Sequence, residues 1–163
     1  MGNRLGFFHN IFVAAQFILD NLSPTTGAPY LKQSLLEGGD RYYVDEEFTL
    51  GCIPVELEGG VCIITANADK ANASASYVSF AVDRSVTVYI AYDAGALSIP
   101  DWLDAANGFT ATGLTLTVDG DASTSTFNLY SKVYPASTVT DLGGNLATGA
   151  SGADSNYMVI VQP

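Results

Sequence analysis

Residues 77–92 read Tyr77-Val78-Ser79-Phe80-Ala81-Val82-Asp83-Arg84-Ser85-Val86-Thr87-Val88-Tyr89-Ile90-Ala91-Tyr92, and this stretch decides the fold class. In both halves, 77–82 and 86–92, large apolar side chains return at every second position. Successive side chains of a β-strand point to opposite faces, so this period of two predicts two strands. The polar residues 83–85 between them predict a short connection.

Similar segments recur on both sides of this stretch. We predict further strands in the ranges 41–50, 61–66, 114–118, 127–134 and 157–161. The only helical segment predicted in the body of the chain is one turn over residues 100–103. Short strands spaced by roughly 8–12 residues, with turn residues between them, are typical of β-sandwiches and β-barrels. The sequence therefore predicts an all-β fold built from antiparallel strands.

The composition restricts the class of protein. The chain has 163 residues, of which 48% are hydrophobic and only 14% charged, and its formal net charge is −11. This length suits one domain with a substantial core. A surface made largely of Ser, Thr, Asn and Gly predicts an extracellular or cell-surface protein. The negative charge argues against nucleic acid and anionic lipid as partners, because both are bound through Lys and Arg.

An apolar segment precedes the predicted sandwich domain, which we place at residues 28–163. Within residues 1–27 we predict an N-terminal assembly arm and a linker. The apolar spacing fits both a helix and a strand, and its Phe, Ile and Val content favours a strand. The arm residues are Leu5, Phe7, Phe8, Ile11, Phe12, Val13, Phe17, Ile18 and Leu19. Polar residues interrupt the segment, so we expect no insertion into a membrane.

The two cysteines, Cys52 and Cys62, flank a segment that resembles a strand, a Gly59-Gly60 turn and a returning strand. In such a hairpin the two Cα atoms can come within bonding distance, so we predict a disulfide. Closing so short a loop would stabilise the fold by about 2–3 kcal/mol. The alternative is two buried free thiols, since cysteine is often simply a small core residue.

Six segments occur in an order that resembles a known group of domains. They are Gly39-Asp40-Arg41-Tyr42-Tyr43-Val44-Asp45, Ile64-Thr65-Ala66-Asn67-Ala68-Asp69-Lys70, Val86-Thr87-Val88-Tyr89-Ile90-Ala91-Tyr92-Asp93, Ile99-Pro100-Asp101-Trp102-Leu103, Leu142-Gly143-Gly144-Asn145 and Ser155-Asn156-Tyr157-Met158-Val159-Ile160-Val161. Together they resemble the jelly-roll-type β-sandwich modules of secreted bacterial polysaccharide-degrading enzymes and large surface proteins. The resemblance implies a jelly-roll-like sandwich with a role in carbohydrate attachment or adhesion.

Carbohydrate binding requires exposed aromatic rings that stack on sugar rings, with polar groups beside them. The candidates are Tyr130, Tyr134 and Trp102. Both tyrosines fall on the predicted polar face of their strand, together with Lys132. For Trp102 the alternative is a core role, in which the indole closes one end of the sandwich.

The sequence gives little support for catalysis, so we expect no enzyme activity. His9 is the only histidine and lies in the arm, away from any partner for a catalytic triad or a zinc site. The acidic pairs Glu46/Glu47 and Glu56/Glu58 are the visible candidates for glycoside hydrolysis. Such pairs more often keep the edge of a sheet solvated.

Loop residues supply the remaining site candidates. Asp119 and Asp121 offer oxygen ligands of the kind that calcium prefers, but Asp-Gly between two strands is also a common hairpin turn. We expect no other cofactor. Asn21 and Asn72 each begin an Asn-x-Ser sequon and are candidate glycosylation sites.

Two functions fit these features. In the first, the chain is a non-catalytic extracellular structural subunit that self-assembles head-to-tail into a filament or pilus-like fibre. The arm of one copy then docks on the next copy, as in strand addition. The alternative is a carbohydrate-binding or adhesion module with exposed aromatic residues, whose partner is a polysaccharide.

Overall fold

The computed structural model describes residues 19–24, 30–34 and 38–163, which form ten β-strands and four short 3-10 helices. The strands are β1 (Leu19–Pro24), β2 (Leu31–Ser34), β3 (Thr49–Leu50), β4 (Val61–Ile64), β5 (Val78–Val82), β6 (Val86–Asp93), β7 (Thr110–Asp119), β8 (Thr126–Tyr134), β9 (Val139–Leu142) and β10 (Met158–Gln162). The 3-10 helices are Val55–Leu57, Asn67–Ala71, Asp101–Leu103 and Ala105–Asn107. The all-β prediction is confirmed.

The strands pair into two antiparallel sheets. One has the order β1-β5-β9, and the other has the order β2-β4-β10-β6-β8-β7-β3. The chain changes sheet at each step from β4 to β5 to β6, and again from β8 to β9 to β10. Residues 77–92 therefore give one strand to each sheet and do not form a hairpin. This repeated crossing makes the fold a β-sandwich of the jelly-roll-like kind that the sequence predicts.

A first core lies between the two sheets. Val78, Phe80 and Val82 of β5 pack in one cluster with Val88 and Ile90 of β6, and all five are at most 3% exposed. These are the alternate apolar positions of the stretch that decides the fold. Burial of side chains of this type contributes about 1.5–3 kcal/mol each before the entropy of ordering them is subtracted.

The opposite face of the seven-stranded sheet carries a second core. Met158 and Ile160 of β10 pack there with Phe127 of β8 and with Leu57 from a covering loop. The intervening Val159 belongs to the first core. Because this sheet is buried on both faces, β10 is a continuous apolar run although its neighbours are antiparallel.

Most of the predicted strands are confirmed. The segments predicted at 61–66, 77–82, 86–92, 114–118, 127–134 and 157–161 correspond to β4, β5, β6, β7, β8 and β10. The predicted turn over residues 100–103 is the 3-10 helix Asp101–Leu103.

The strand predicted over residues 41–50 is wrong for most of its length. Only Thr49–Leu50 forms a strand, and Arg41 and Tyr43 make isolated bridges. The segment instead places Tyr42 and Tyr43, both almost fully buried, over the second core. Alternating apolar residues in this segment therefore cover a sheet and do not extend it.

The predicted disulfide is wrong, because Cys52 and Cys62 are free thiols. The segment between them contains the 3-10 helix Val55–Leu57 and is not a hairpin. The N–H of Cys52 donates to the Thr117 hydroxyl (2.8 Å) beside β7, whereas Cys62 lies in β4. Cys52 is exposed, so the alternative of a buried thiol holds for Cys62 alone. Burial raises the pKa of the Cys62 thiol to about 12.

Residues 1–18, which contain most of the predicted arm, lie outside the described residues, so its docking on another copy stays a prediction. Leu19 begins β1, where it lies opposite Val82 of β5 in the same chain. Residues 21–24, predicted as part of the linker, belong to the same strand. Within the described ranges, no helix is long and apolar enough to cross a membrane.

Candidate functional site

Five of the six segments that carry the resemblance meet in a network of buried polar groups. The side-chain amide of Asn156 donates to the Ala66 carbonyl (2.8 Å) and to the Tyr77 hydroxyl (2.9 Å). Its backbone N–H donates to Asn67 Oδ1 (3.0 Å), and its carbonyl accepts from the Tyr43 hydroxyl. Buried polar groups are costly unless they are paired, so these side chains are needed for folding.

Asn145 continues this network into the loop after β9. Its side-chain amide N–H groups donate to the carbonyls of Lys70 (3.0 Å) and Ser155 (3.2 Å), and its backbone carbonyl accepts from the Tyr92 hydroxyl (2.8 Å). Burial, and then the charge of Asp93, raises the pKa of Tyr92 to about 12, so this hydroxyl remains a donor at neutral pH. The resembling segments thus bind mainly to one another, and their shared role is structural.

Three loops beside this network enclose a shallow pocket of about 190 Å³. The pocket is lined by Ala75, Asp101, Trp102, Ala147 and Thr148. The backbone N–H of Asp101 donates to the Thr148 carbonyl (2.8 Å), which fixes two of the loops relative to each other. Pockets for drug-sized ligands measure ~300–1,000 Å³, so this one suits a group on the scale of a single sugar ring.

Trp102 forms the aromatic side of the pocket and is half-buried. Its Nε1 donates to the Gly144 carbonyl (3.0 Å), and its ring packs against Tyr157 (5.3 Å between ring centroids) and Phe109 (5.8 Å). Burial raises the pKa of Tyr157 well above its usual value, and its hydroxyl donates to the Gly143 carbonyl (2.9 Å). Trp102 therefore closes one end of the first core and also lines the pocket.

The close approach of the loop after β9 to Trp102 and Asp101 requires glycine at two positions. A Cβ at Gly143 would lie 2.4 Å from Trp102 Cδ1. Gly149 has a φ of +92°, and a Cβ there would lie 2.1 Å from Asp101 Oδ1. Larger residues at these positions would displace the side chains that line the pocket.

The pocket combines apolar surface with uncommitted polar groups. Asp101 and Thr148 are exposed, and neither the Asp101 carboxylate nor the Thr148 hydroxyl bonds to the described part of the chain. Ala75 and Ala147 add small apolar surfaces. An aromatic ring beside a carboxylate and a hydroxyl matches a ligand that has one apolar face and several hydroxyl groups.

Tyr130 and Tyr134 do not line this pocket. The prediction that they and Lys132 lie on a polar outer face is wrong, because they lie on the face of β8 that points to the first core. Tyr134 is 8% exposed and Tyr130 is half-buried. The Lys132 ammonium lies 5.0 Å from the Tyr134 ring centre and 5.4 Å from that of Phe109. On the other face of β8, Phe127 and Leu129 are buried in the second core, so the alternation in the first half of this strand separates two cores.

The carboxylate of Asp121 organises the turn between β7 and β8. Its Oδ1 accepts from the N–H groups of Ser123 (2.8 Å) and Thr124 (3.1 Å), and its Oδ2 accepts from the Ser155 hydroxyl (2.6 Å). Asp119 is exposed at the end of β7. In the described ranges, no three His, Cys, Asp or Glu side chains gather as metal ligands. These bonds support the hairpin-turn interpretation of Asp119 and Asp121.

The remaining candidates lie apart from the pocket lining. Asn72 Oδ1 accepts from the N–H (2.9 Å) and the hydroxyl (2.6 Å) of Ser74, and the backbone of Asn21 lies in β1. Glycosylation of both stays a prediction. Glu47 forms an exposed ion pair with Arg41 (3.1 Å).

The fold is similar to parts of two solved glycoside hydrolase structures. Over 86% of its length the chain resembles part of a beta-glucuronidase from glycoside hydrolase family 2, with a TM-score of 0.75 and 19% identity. Over 82% it resembles part of a GH138 enzyme targeting pectin rhamnogalacturonan II, with a TM-score of 0.55 and 17% identity. The chain spans only 14% and 15% of these two proteins. No protein-family model and no curated protein matches the sequence.

Sequence reasoning identified Trp102 but missed its neighbours in the pocket. In the sequence, Asp101 stands out only as part of a resembling segment, and Ala75 and Thr148 carry no motif. The available signal was the pair Gly143-Gly144, since adjacent glycines in a loop often mark a close approach to a neighbouring side chain.

Proposed function

We propose that this chain is a non-catalytic, extracellular carbohydrate-binding module, and that the pocket beside Trp102 holds one sugar ring of a polysaccharide. The observation that carries the proposal is the combination of a fixed, half-buried indole with the uncommitted Asp101 carboxylate and Thr148 hydroxyl. The indole offers an apolar face for stacking, and the two oxygen groups are placed to bond sugar hydroxyls.

The comparisons support this proposal over a filament subunit. Both solved structures named above are glycoside hydrolases, and the part that resembles this chain makes up only 14% and 15% of their length. An accessory module that holds a polysaccharide near an enzyme or a cell surface agrees with this setting. The low content of charged residues agrees with an extracellular location.

Binding to a panel of insoluble and soluble polysaccharides tests the proposal. Ala75 is exposed and lines the pocket, so Ala75→Leu should fill the pocket without disturbing the core. Ala122 is also exposed but lies in the turn between β7 and β8, which makes Ala122→Leu a matched control. We expect the protein and the Ala122→Leu variant to bind the same polysaccharide, and Ala75→Leu to lose that binding.

Two results would contradict the proposal. The first is the absence of binding to any polysaccharide of the panel by the folded protein. The second is equal binding by Ala75→Leu and Ala122→Leu, which would place the binding surface elsewhere on the chain.

A further inference from the structure

We infer that the pocket selects neutral sugars and rejects sugars that carry a carboxylate or a sulfate; this rests on the proposed function of the same pocket. The inference comes from charge. The chain has a formal net charge of −11, and of the two uncommitted polar side chains in the pocket lining, Thr148 is neutral and Asp101 carries a carboxylate. An anionic sugar held against Trp102 would bring a second negative charge beside the Asp101 carboxylate.

The pocket has no cation to compensate that charge. Its lining consists of two alanines, a threonine, a tryptophan and an aspartate. The recognition of carboxylate and sulfate groups by proteins depends on Arg, Lys or a cluster of N–H donors. The backbone N–H of Asp101 already donates to the Thr148 carbonyl, so it is not available to bind a carboxylate or a sulfate.

The basic side chains that the structure describes are engaged elsewhere. Arg41 bonds the Glu46 carbonyl and pairs with Glu47, and Lys70 donates to the Asp154 carbonyl (2.8 Å). Arg84, between β5 and β6, pairs with Asp83, and Lys132 of β8 donates to the Asn107 carbonyl (2.8 Å). Moving any of them to the pocket would break these contacts.

The matched ligands for a test are oligogalacturonides and the same oligosaccharides after chemical reduction of their carboxyl groups, together with the equivalent pair made from polyglucuronate. Each pair keeps its linkages and its ring hydroxyls and differs in charge. We expect the neutral member to bind at least about tenfold more tightly at low salt, since like charges within a few ångströms repel strongly at a protein surface. This difference in affinity should become smaller as salt is added.

Two variants separate the local charge from the charge of the whole protein. Asp101→Asn keeps the shape of the side chain and removes its charge. The difference in affinity between the neutral and the anionic ligands should therefore disappear in this variant. Asp119→Asn changes the net charge of the chain by the same amount, but Asp119 lies opposite Thr49 at the edge strand β3. This control variant should show the same difference in affinity as the unchanged protein.

The outcomes distinguish the inference from the proposed function. Tighter binding of the anionic members, or a difference in affinity that persists in Asp101→Asn, overturns the inference and leaves carbohydrate binding in place. Failure of the folded protein to bind any member of either pair, or any neutral polysaccharide, overturns both.

Discussion

The turn between β7 and β8 and the turn at the 3-10 helix Asp101–Leu103 both carry an aspartate, and they use its carboxylate differently. In the turn between β7 and β8, both oxygens of Asp121 are occupied by three hydrogen bonds from Ser123, Thr124 and Ser155. In the turn at the 3-10 helix Asp101–Leu103, the Asp101 carboxylate has no partner in the described chain and stands beside an aromatic ring. The comparison teaches that bonding capacity left over after folding, and not acidity, marks the candidate site.

The largest expected effect is the unfolding of the whole domain, including both turns, at high pH. Tyr157 packs under Trp102, and Tyr42 lies near Asp121; burial is the main reason that the pKa of each tyrosine is raised. Burial likewise raises the pKa values of Tyr92 and Tyr134 to about 12. Tyrosines of the unfolded chain lose their protons near pH ~10, whereas the folded chain retains them.

Stability should therefore be fully present below about pH 10 and fall as pH rises toward 12, because the folded state then binds more protons than the unfolded state. Far-ultraviolet circular dichroism and tyrosinate absorbance should change in one shared transition. Ionisation of the buried tyrosines with the β-sheet signal intact would contradict this expectation.

The next effect contrasts the two aspartates directly. Asp121→Ala should lower the free energy of unfolding by about 2–3 kcal/mol, since three bonds to a charged acceptor are lost but are not additive. Asp101→Ala should change it by less than about 0.5 kcal/mol, as for an exposed side chain without partners. Urea unfolding measures both values. Equal losses in the two variants would remove the distinction between the turns.

A smaller effect contrasts Gly143, which lies against Trp102 in the loop after β9, with Gly120 in the turn between β7 and β8. Gly143→Ala should cost about 1–3 kcal/mol and shift the emission of the Trp102 indole, since the new Cβ would overlap that ring. Gly120 has a φ of +90° and room for a Cβ, so Gly120→Ala should cost about 1–2 kcal/mol through backbone strain and leave the emission unchanged. Fluorescence and thermal unfolding of the two variants check this. An unchanged Trp102 spectrum in Gly143→Ala would show that the ring does not depend on this contact.

The smallest effect concerns calcium. A ligand that binds only the folded state raises its stability, and both oxygens of Asp121 already accept hydrogen bonds from the chain, which compete with the binding of an ion. Millimolar calcium should therefore leave the midpoint of thermal unfolding unchanged, both in the unchanged protein and in the Asp121→Asn variant. A rise in the midpoint that Asp121→Asn abolishes would establish the metal site that this turn interpretation excludes.

Local sequence patterns predicted the first core because they need only a period of two. Residues 77–92 alternate, and the structure buries Phe80 and Ile90 between the sheets as expected. The same rule failed at β8, where Tyr130 and Lys132 alternate with Phe127 and were assigned to solvent. Where the second core covers Phe127 and Leu129, both faces of β8 are packed and neither is a polar side, and the sequence pattern does not reveal that cover.

The candidate site was harder to predict because it depends on distant loops. Trp102 was visible as an aromatic residue after a proline, but Ala75 and Thr148 lie far from it in sequence and are ordinary in type. The predicted disulfide is wrong for a related reason. The nine residues between Cys52 and Cys62 can contain a 3-10 helix as well as form a hairpin, and which of the two forms depends on where Leu57 is buried.

Trp102 is the only tryptophan of the chain, so its fluorescence reports on the pocket directly. Titration with the neutral oligosaccharides that bind the protein is the most direct measurement. We predict a saturable change in Trp102 emission whose midpoint matches the calorimetric dissociation constant, and no such change in Ala75→Leu. Calorimetric binding that leaves the emission of Trp102 unaltered would contradict the assignment of this pocket as the sugar site.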